Sequence, residues 1–481
     1  MCQRKLAGLA PERVFYYFEE LCKIPHGSRN TRQISDWLVA FAKEQGLRYH
    51  QDELENVIMF VPGTCGMEDR EPVIIQGHMD MVCEKDPDVD LDMDTQGLQI
   101  CHDGSWVFAD RTTLGGDDGI ALAYALALAE DDKIPHPPLE LVFTVDEEIG
   151  MEGAAGIDLS ALKGRKLLNI DSEEEGIFTV SCAGGARATI TLPVSRRAVY
   201  GPCVRLTVEG LRGGHSGVEI HKNLGNANKI MGRFLSEVQK LMPLCLTKLS
   251  GGSKDNAIPR SCTVTMVAMG SHIERINDVA QRLQDQIREE FDEPEVKIYG
   301  DDVEAFGGNA LSTELSSKVI GLLCGMPDGV QAWSRDIEGL VQTSLNLGIA
   351  QLDKEELRLT SAVRSSVEEE KQALLARLRE LAAFYDCGYS QMGEYPAWEY
   401  RKVSPLRDTM VEVYSEMFGK APEVVAIHAG LECGLLGQKL EGLDCVSIGP
   451  EMKDIHTSRE RLDIASVERT WKFLLEVLKR I

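Results

Sequence analysis

Five short strings in the sequence carry side chains that bind metals or move protons: His78-Met79-Asp80, Gly115-Gly116-Asp117-Asp118, Asp146-Glu147-Glu148, Asp171 and His456. Each alone has a plain structural explanation. A His two residues before an Asp can be a buried ring beside a loop acid, and an Asp that opens a helix is favoured simply as a cap. An acidic pair after a strand is commonly a solvated turn. Jointly they describe chemistry, because imidazole and carboxylate are the ligand types that hold divalent cations and a further carboxylate can serve as general base. On extended chain His78 and Asp80 point the same way, so Asp80 is expected to accept the second ring N–H of His78 and fix its tautomer for metal binding. Glu147 and Glu148, consecutive on extended chain, are expected to point to opposite sides, one to a metal and the other to act as base.

The elements around these strings explain their placement. Val73–Gln76 (VIIQ), Leu139–Val145 (LELVFTV), Lys166–Ile170 (KLLNI) and the run CVSIG from Cys445 read as buried strands, and Ile120–Glu130 (IALAYALALAE) as a buried helix. Each string then falls at the carboxyl end of a strand or the start of a helix, the edge where open α/β sheets bind ligands, with His456 after the last strand. Gaps of 39, 31 and 23 residues from His78 through Asp117 and Glu148 to Asp171 each accommodate a strand-helix repeat. The gap of 285 residues to His456 spans an insertion. The expected fold is α/β: a doubly wound mixed sheet with a two-metal site, formed by residues 1–184 and 395–481. Residues 185–394 are expected to form an inserted α+β lid. Its halves, each a helix, two strands and a helix, suggest a weak duplication of ferredoxin-like form. The run AIPRSCTVTMVAM, from Ala257, is assigned to the strands of the first half, and IASVERTWKFLLEVLKRI to a closing amphipathic helix.

Composition sets limits. At 481 residues the chain exceeds the roughly 250–300 at which one core usually stops growing. With 43% hydrophobic and 27% charged residues it is expected to fold throughout. The formal charge of −26 repels phosphate backbones and anionic membranes, which argues against nucleic-acid and membrane partners. Thirteen scattered cysteines without a C-x-x-C pair suit reduced thiols, and no signal segment or membrane span is legible, so a cytoplasmic location is expected.

The ordered motifs resemble the co-catalytic metallopeptidases, the family that includes aminoacylase and carboxypeptidase G, over essentially the whole chain. The strings GGHSG, GGSKDNAIPR and HAGLECG look most like those of its aminoacyl-histidine (Xaa-His) dipeptidases. The resemblance implies two zinc ions, with manganese or cobalt also accommodated. Asp117 would bridge them, His78 and Asp171 completing one site and Glu148 and His456 the other. Glu147 would be the general base for an activated water, with Asp80 orienting His78. From the insertion, His215 would stabilise the oxyanion and Asn256 and Arg364 would bind substrate, Arg364 by forked pairing with a terminal carboxylate, while His428, Gly430 and Glu432, in HAGLECG, would bind substrate from the loop that returns to the catalytic cleft. The implied substrates are Xaa-His dipeptides such as β-Ala-His. Simpler relatives borrow the lid histidine from a partner subunit, which leaves a homodimer open. An N-acyl amino acid deacylase on the same scaffold is the nearest alternative, and a non-catalytic metal-binding homologue a more distant one.

Overall fold

The computed structural model describes residues 4–268 and 273–481; Met269, the last residue of the run expected to form strands in the first half of the insertion, lies outside them. The chain divides into two compact units, Met1–Cys182 with Tyr400–Ala426 and Leu431–Ile481, and Ala183–Glu399 with Ile427–Gly430.

The first unit is built on an eight-stranded sheet. Its order is Arg48–Gln51, Val57–Val61, Leu139–Thr144, Val73–His78, Lys166–Asn169, Asp444–Ser447, Ile177–Cys182 and Glu423–Ile427. The four central strands run parallel, and antiparallel pairs flank them, so the sheet is mixed. Parallel strands need helices on their faces, which explains why Val73–His78 and Leu139–Thr144 are buried at every position. The helix Gly116–Glu130 packs on the His78 strand and is apolar all round, as a helix enclosed by protein must be. Gly77 makes that approach feasible, since a Cβ there would lie 2.5 Å from both Ala121 Cβ and Asp118 Oδ2. The Trp471 ring of the closing helix Ile464–Arg480 stacks on Tyr124. A small four-stranded sheet adds Ile100–His102, Trp106–Ala109, Met452–Lys453 and Arg461–Asp463.

The second unit carries a nine-stranded antiparallel sheet. Helices Ala227–Gln239, Ile273–Phe291, Thr313–Gly325 and Glu368–Phe384 pack around a core of its own that includes Phe234, Leu246, Leu323 and Leu347. The two helix-strand-strand-helix halves meet where Leu244–Gly251 pairs with Val341–Leu352. This is the mixed α/β architecture with a separate α+β unit that the sequence patterns predict.

Candidate metal centre

Strand ends deliver the acidic and imidazole groups to one place in the first unit. His78 ends its strand, Asp171 follows Lys166–Asn169 by two residues, and Glu147 and Glu148 lie in the turn after Leu139–Thr144. Asp117 stands before the regular part of its helix, its φ/ψ of −85°/104° being non-helical. Its carboxylate is shared: Oδ1 lies 3.1 Å from His78 Nε2 and Oδ2 3.1 Å from His456 Nε2. His78 Nε2 is also 3.6 Å from Asp171 Oδ1, and His456 Nε2 is 2.8 Å from Glu148 Oε1. Glu147, Glu148 and His78 each place one ligand atom within 4.8 Å of the others.

Three local details differ from the sequence expectations. His78 Nδ1 donates to the main-chain carbonyl of Asp80 at 2.9 Å, while the Asp80 carboxylate is farther, at 3.5 Å. That carboxylate accepts instead from Glu147 N at 3.0 Å, Glu148 N at 3.4 Å and Ser28 Oγ at 2.8 Å, so Asp80 anchors the Glu147–Glu148 turn. Glu147 and Glu148 do not alternate to opposite sides of an extended chain: they lie in the turn after Asp146, whose φ is +54°, and their carboxylates each bring an oxygen within 4.8 Å of the other. His456 does not follow the last strand: it sits between Met452–Lys453 and Arg461–Asp463 with φ +57°.

Residues that sequence patterns did not single out support the cluster. The buried Glu460 carboxylate accepts from the main-chain amides of Leu114, Gly115, Gly116 and Asp117 at 2.7–3.4 Å, tying the loop of His456 to that of Asp117. Gly115, with φ +68°, shapes this row of amides. Asp118 Oδ2 accepts from His78 N at 3.1 Å. Nothing in the string HTSRERLD marks Glu460, but Gln76 and Asn169 carry a legible signal, each a polar residue on an apolar strand two places before a candidate donor, His78 and Asp171.

The electrostatics call for positive charge. Burial alone would lower His78, yet Asp117, Asp171 and Asp80 outweigh it and hold the ring well above its ordinary value. Hydrogen bonds to Asp117 and Glu148 push His456 up to about 10. Burial, then the neighbouring charges of Asp171, Glu432 and Glu148, pushes Glu147 well above the usual carboxylate range. Burial likewise raises Asp171, with repulsion from Asp117 and Glu148 opposing the help of His78. Protons thus substitute for cationic charge in this arrangement. A carboxylate whose two oxygens face two different imidazole nitrogens, with a further acid beside each ring, is a donor set that fits two divalent cations.

The second unit gathers another group. His215 Nδ1 accepts from Gly217 N at 3.1 Å and Val218 N at 3.2 Å, which assigns the ring proton to Nε2. Burial and the charge of Arg364 both lower its pKa, so the ring is neutral near pH 7. Arg364 Nη1 donates to Tyr395 Oη at 3.1 Å, and among the described residues its buried Nε has no acceptor. His428 lies 2.7 Å from Ser344 Oγ and is pushed down to about 3 by burial and by Arg364. Gly430 lies in the same short segment, Ile427–Gly430, and Asn256 is exposed, its carbonyl accepting from Ser216 N at 2.9 Å. Glu432 belongs to the first unit and is fully buried.

Residues 74–480 match the model of peptidase family M20/M25/M40. The chain is 37% identical, over 99% of its own length and 99% of the relative's, to the cytosol non-specific dipeptidase of Escherichia coli strain K12. The crystal structure of an aminoacylhistidine dipeptidase from Vibrio alginolyticus superposes with a TM-score of 0.93 at 34% identity, covering 99% of this chain and 98% of that one. A tripeptidase from Staphylococcus aureus, at 16% identity and a TM-score of 0.57 over 98% of each chain, shares the fold. With its donor cluster and these matches along nearly its whole length, the chain belongs to the M20/M25/M40 peptidases and is a metallopeptidase.

Proposed function

We propose that the protein is a two-zinc dipeptidase that hydrolyses Xaa-His dipeptides such as β-Ala-His. The observation that carries this reading is the Asp117 carboxylate, one oxygen toward His78 and the other toward His456, with Glu147 beside them. Both full-length relatives are named dipeptidases, which supports the dipeptidase class, and the name of the Vibrio relative alone supports histidine as the second residue. His78 and Asp171 would hold one cation, Glu148 and His456 the other, and Asp117 both; manganese or cobalt could replace zinc. Bound there, the cations supply Lewis acidity toward the scissile carbonyl and lower the pKa of the attacking water.

The chain's own groups do the rest. Glu147, ionised once cationic charge is in place, takes the water's proton and passes it to the leaving amine. Asp80 holds Glu147 and Glu148 by their main-chain amides and His78 through its carbonyl. His215, with its proton on Nε2, is suited to donate to the developing oxyanion. Arg364, whose Nε has no acceptor among the described residues, is suited to pair with the substrate's terminal carboxylate, and Asn256, His428 and Gly430 to line its surroundings. Such a clamp favours substrates with a free C-terminus and short length. A cytoplasmic location accords with the E. coli relative's name. No helix among the described residues is long and apolar enough to cross a membrane.

The deciding experiment is hydrolysis of β-Ala-His, Gly-His, dipeptides without histidine and N-acetyl amino acids, before chelation, after it, and after zinc is returned. Zinc-restored cleavage favouring Xaa-His supports the proposal. Equal cleavage of all dipeptides would remove the histidine preference, and activity confined to acylated amino acids would replace the substrate class.

A further inference from the structure

Glu432 opens the helix Glu432–Lys439, and its Oε2 accepts two bonds of 2.6 Å, from Gln76 Nε2 and from Thr144 Oγ1. Gln76 Nε2 is also 3.2 Å from Thr144 Oγ1, and Gln76 Oε1 accepts from Asn169 Nδ2 at 2.7 Å. All four residues are 0% exposed, which excludes contact with a substrate in this conformation. They form one hydrogen-bonded chain across three adjacent strands, in the order Thr144, Gln76, Asn169, with Gln76 in direct register with Asn169. Each strand leads into a different part of the donor cluster. Gln76 precedes His78 by two residues, Asn169 precedes Asp171 by two, and Thr144 precedes the Asp146–Glu148 turn. Side chains two apart on a strand share a face, so this row underlies the donors.

Polar groups buried beside Ile75, Leu141 and Leu168 carry a desolvation cost that an apolar row would avoid. What the polar row adds is directionality: bonds of fixed length set the relative heights of neighbouring strand ends, which dispersion contacts do only loosely. We propose that Glu432 is a positioning residue: by holding Gln76 and Thr144, and through Gln76 also Asn169, it sets the spacing of His78, Asp171 and the Glu147–Glu148 turn for cation binding. The proposal rests on the reading of that cluster as a metal centre.

The test is zinc affinity, measured on the full-length protein by competition with a chromogenic chelator, for wild type and for Glu432→Ala, Glu432→Gln and Gln76→Leu. Thermal unfolding of the metal-free proteins accompanies it. Partners that orient metal ligands are typically worth 10–100-fold in affinity, and Glu432→Ala is expected to lose about that much. A glutamine can still accept from both donors through its carbonyl oxygen, so Glu432→Gln is expected to stay within about threefold of wild type by the same measure. Gln76→Leu, which breaks the row at its middle, should weaken zinc in the same direction and keeps the test decisive if Glu432→Ala does not fold. In dipeptide kinetics at saturating zinc, a positioning residue lowers kcat with little change in KM. Unchanged zinc affinity in Glu432→Ala or Gln76→Leu, or a Glu432→Gln variant as impaired as Glu432→Ala, would overturn the assignment. So would a rise in KM alone, which marks a substrate contact. A wild-type protein that binds no zinc would instead overturn the metal-centre reading on which the assignment stands.

Discussion

At the scale of single residues, the cluster separates groups that would hold cations from one that would handle a proton. Glu147 lies within 4.8 Å of His78 and Glu148, yet the shared contacts of Asp117 run to the two histidines. Glu147→Gln is therefore expected to lower kcat by about 10²–10⁴-fold while leaving zinc content unchanged, as steady-state kinetics and metal analysis on one preparation would show. A parallel loss of zinc would make Glu147 a ligand. Arg364→Ala is expected to raise the dipeptide KM at least about tenfold, the scale of a lost charge-assisted pair, and an unchanged KM would remove the carboxylate clamp. These residue types and their order were legible in the sequence. What they bond to was not: strand alternation put the Asp80 carboxylate behind His78, whereas the ring meets the Asp80 carbonyl and the carboxylate serves the next turn. A hydrogen bond depends on tenths of an ångström and on loop dihedrals that side-chain periodicity does not encode.

At the scale of elements, the strands and helices that place the donors follow from hydrophobic pattern, because an element buried on both faces must be apolar at nearly every position. The connections are less regular. Glu460 reaches across its loop to four consecutive amides, Leu114 to Asp117, where the helix Gly116–Glu130 begins, a pairing between residues some 340 positions apart that no local spacing announces. The second unit offers an element-level prediction away from the donors. Half-buried Asp328 accepts from Leu347 N at 2.8 Å and Asn226 Nδ2 at 2.9 Å, joining the strand Val341–Leu352 to the N-cap of the helix Ala227–Gln239. Burial pushes its carboxyl up to about 6 from an ordinary 3.8. A group raised on folding contributes stability that is complete below its unfolded pKa and lost as pH rises through the folded one. This contribution should therefore decline between about pH 4 and pH 6, by roughly 3 kcal/mol at most. In Asp328→Asn that decline should be missing from urea-unfolding free energies measured across the same interval. An identical pH slope in both proteins would show that Asp328 titrates normally.

At the scale of the whole molecule, the metal and the fold are thermodynamically linked. The donor cluster draws on residues from both ends of the chain, His78 to Asp171 and His456, so a cation bound there holds together segments that unfolding separates. Ligand at about 100 times its dissociation constant stabilises by roughly 2.7 kcal/mol. Chelation is accordingly expected to lower the thermal midpoint and zinc to restore it; calorimetry that shows no change would place tight cation binding elsewhere or nowhere. The sequence by itself determined the fold class, the order of the donors and the family, because burial periodicity and short-range motifs are local properties of a chain. Only the tertiary structure decided that Asp117 faces both histidines, that Glu460 ties their loops and that Glu432 lies beneath the donors with no surface exposed. Apart from the Asp117–His78 contact, those relations join residues hundreds of positions apart, and their distances follow from how the sheet and its loops pack, which one-dimensional spacing does not contain.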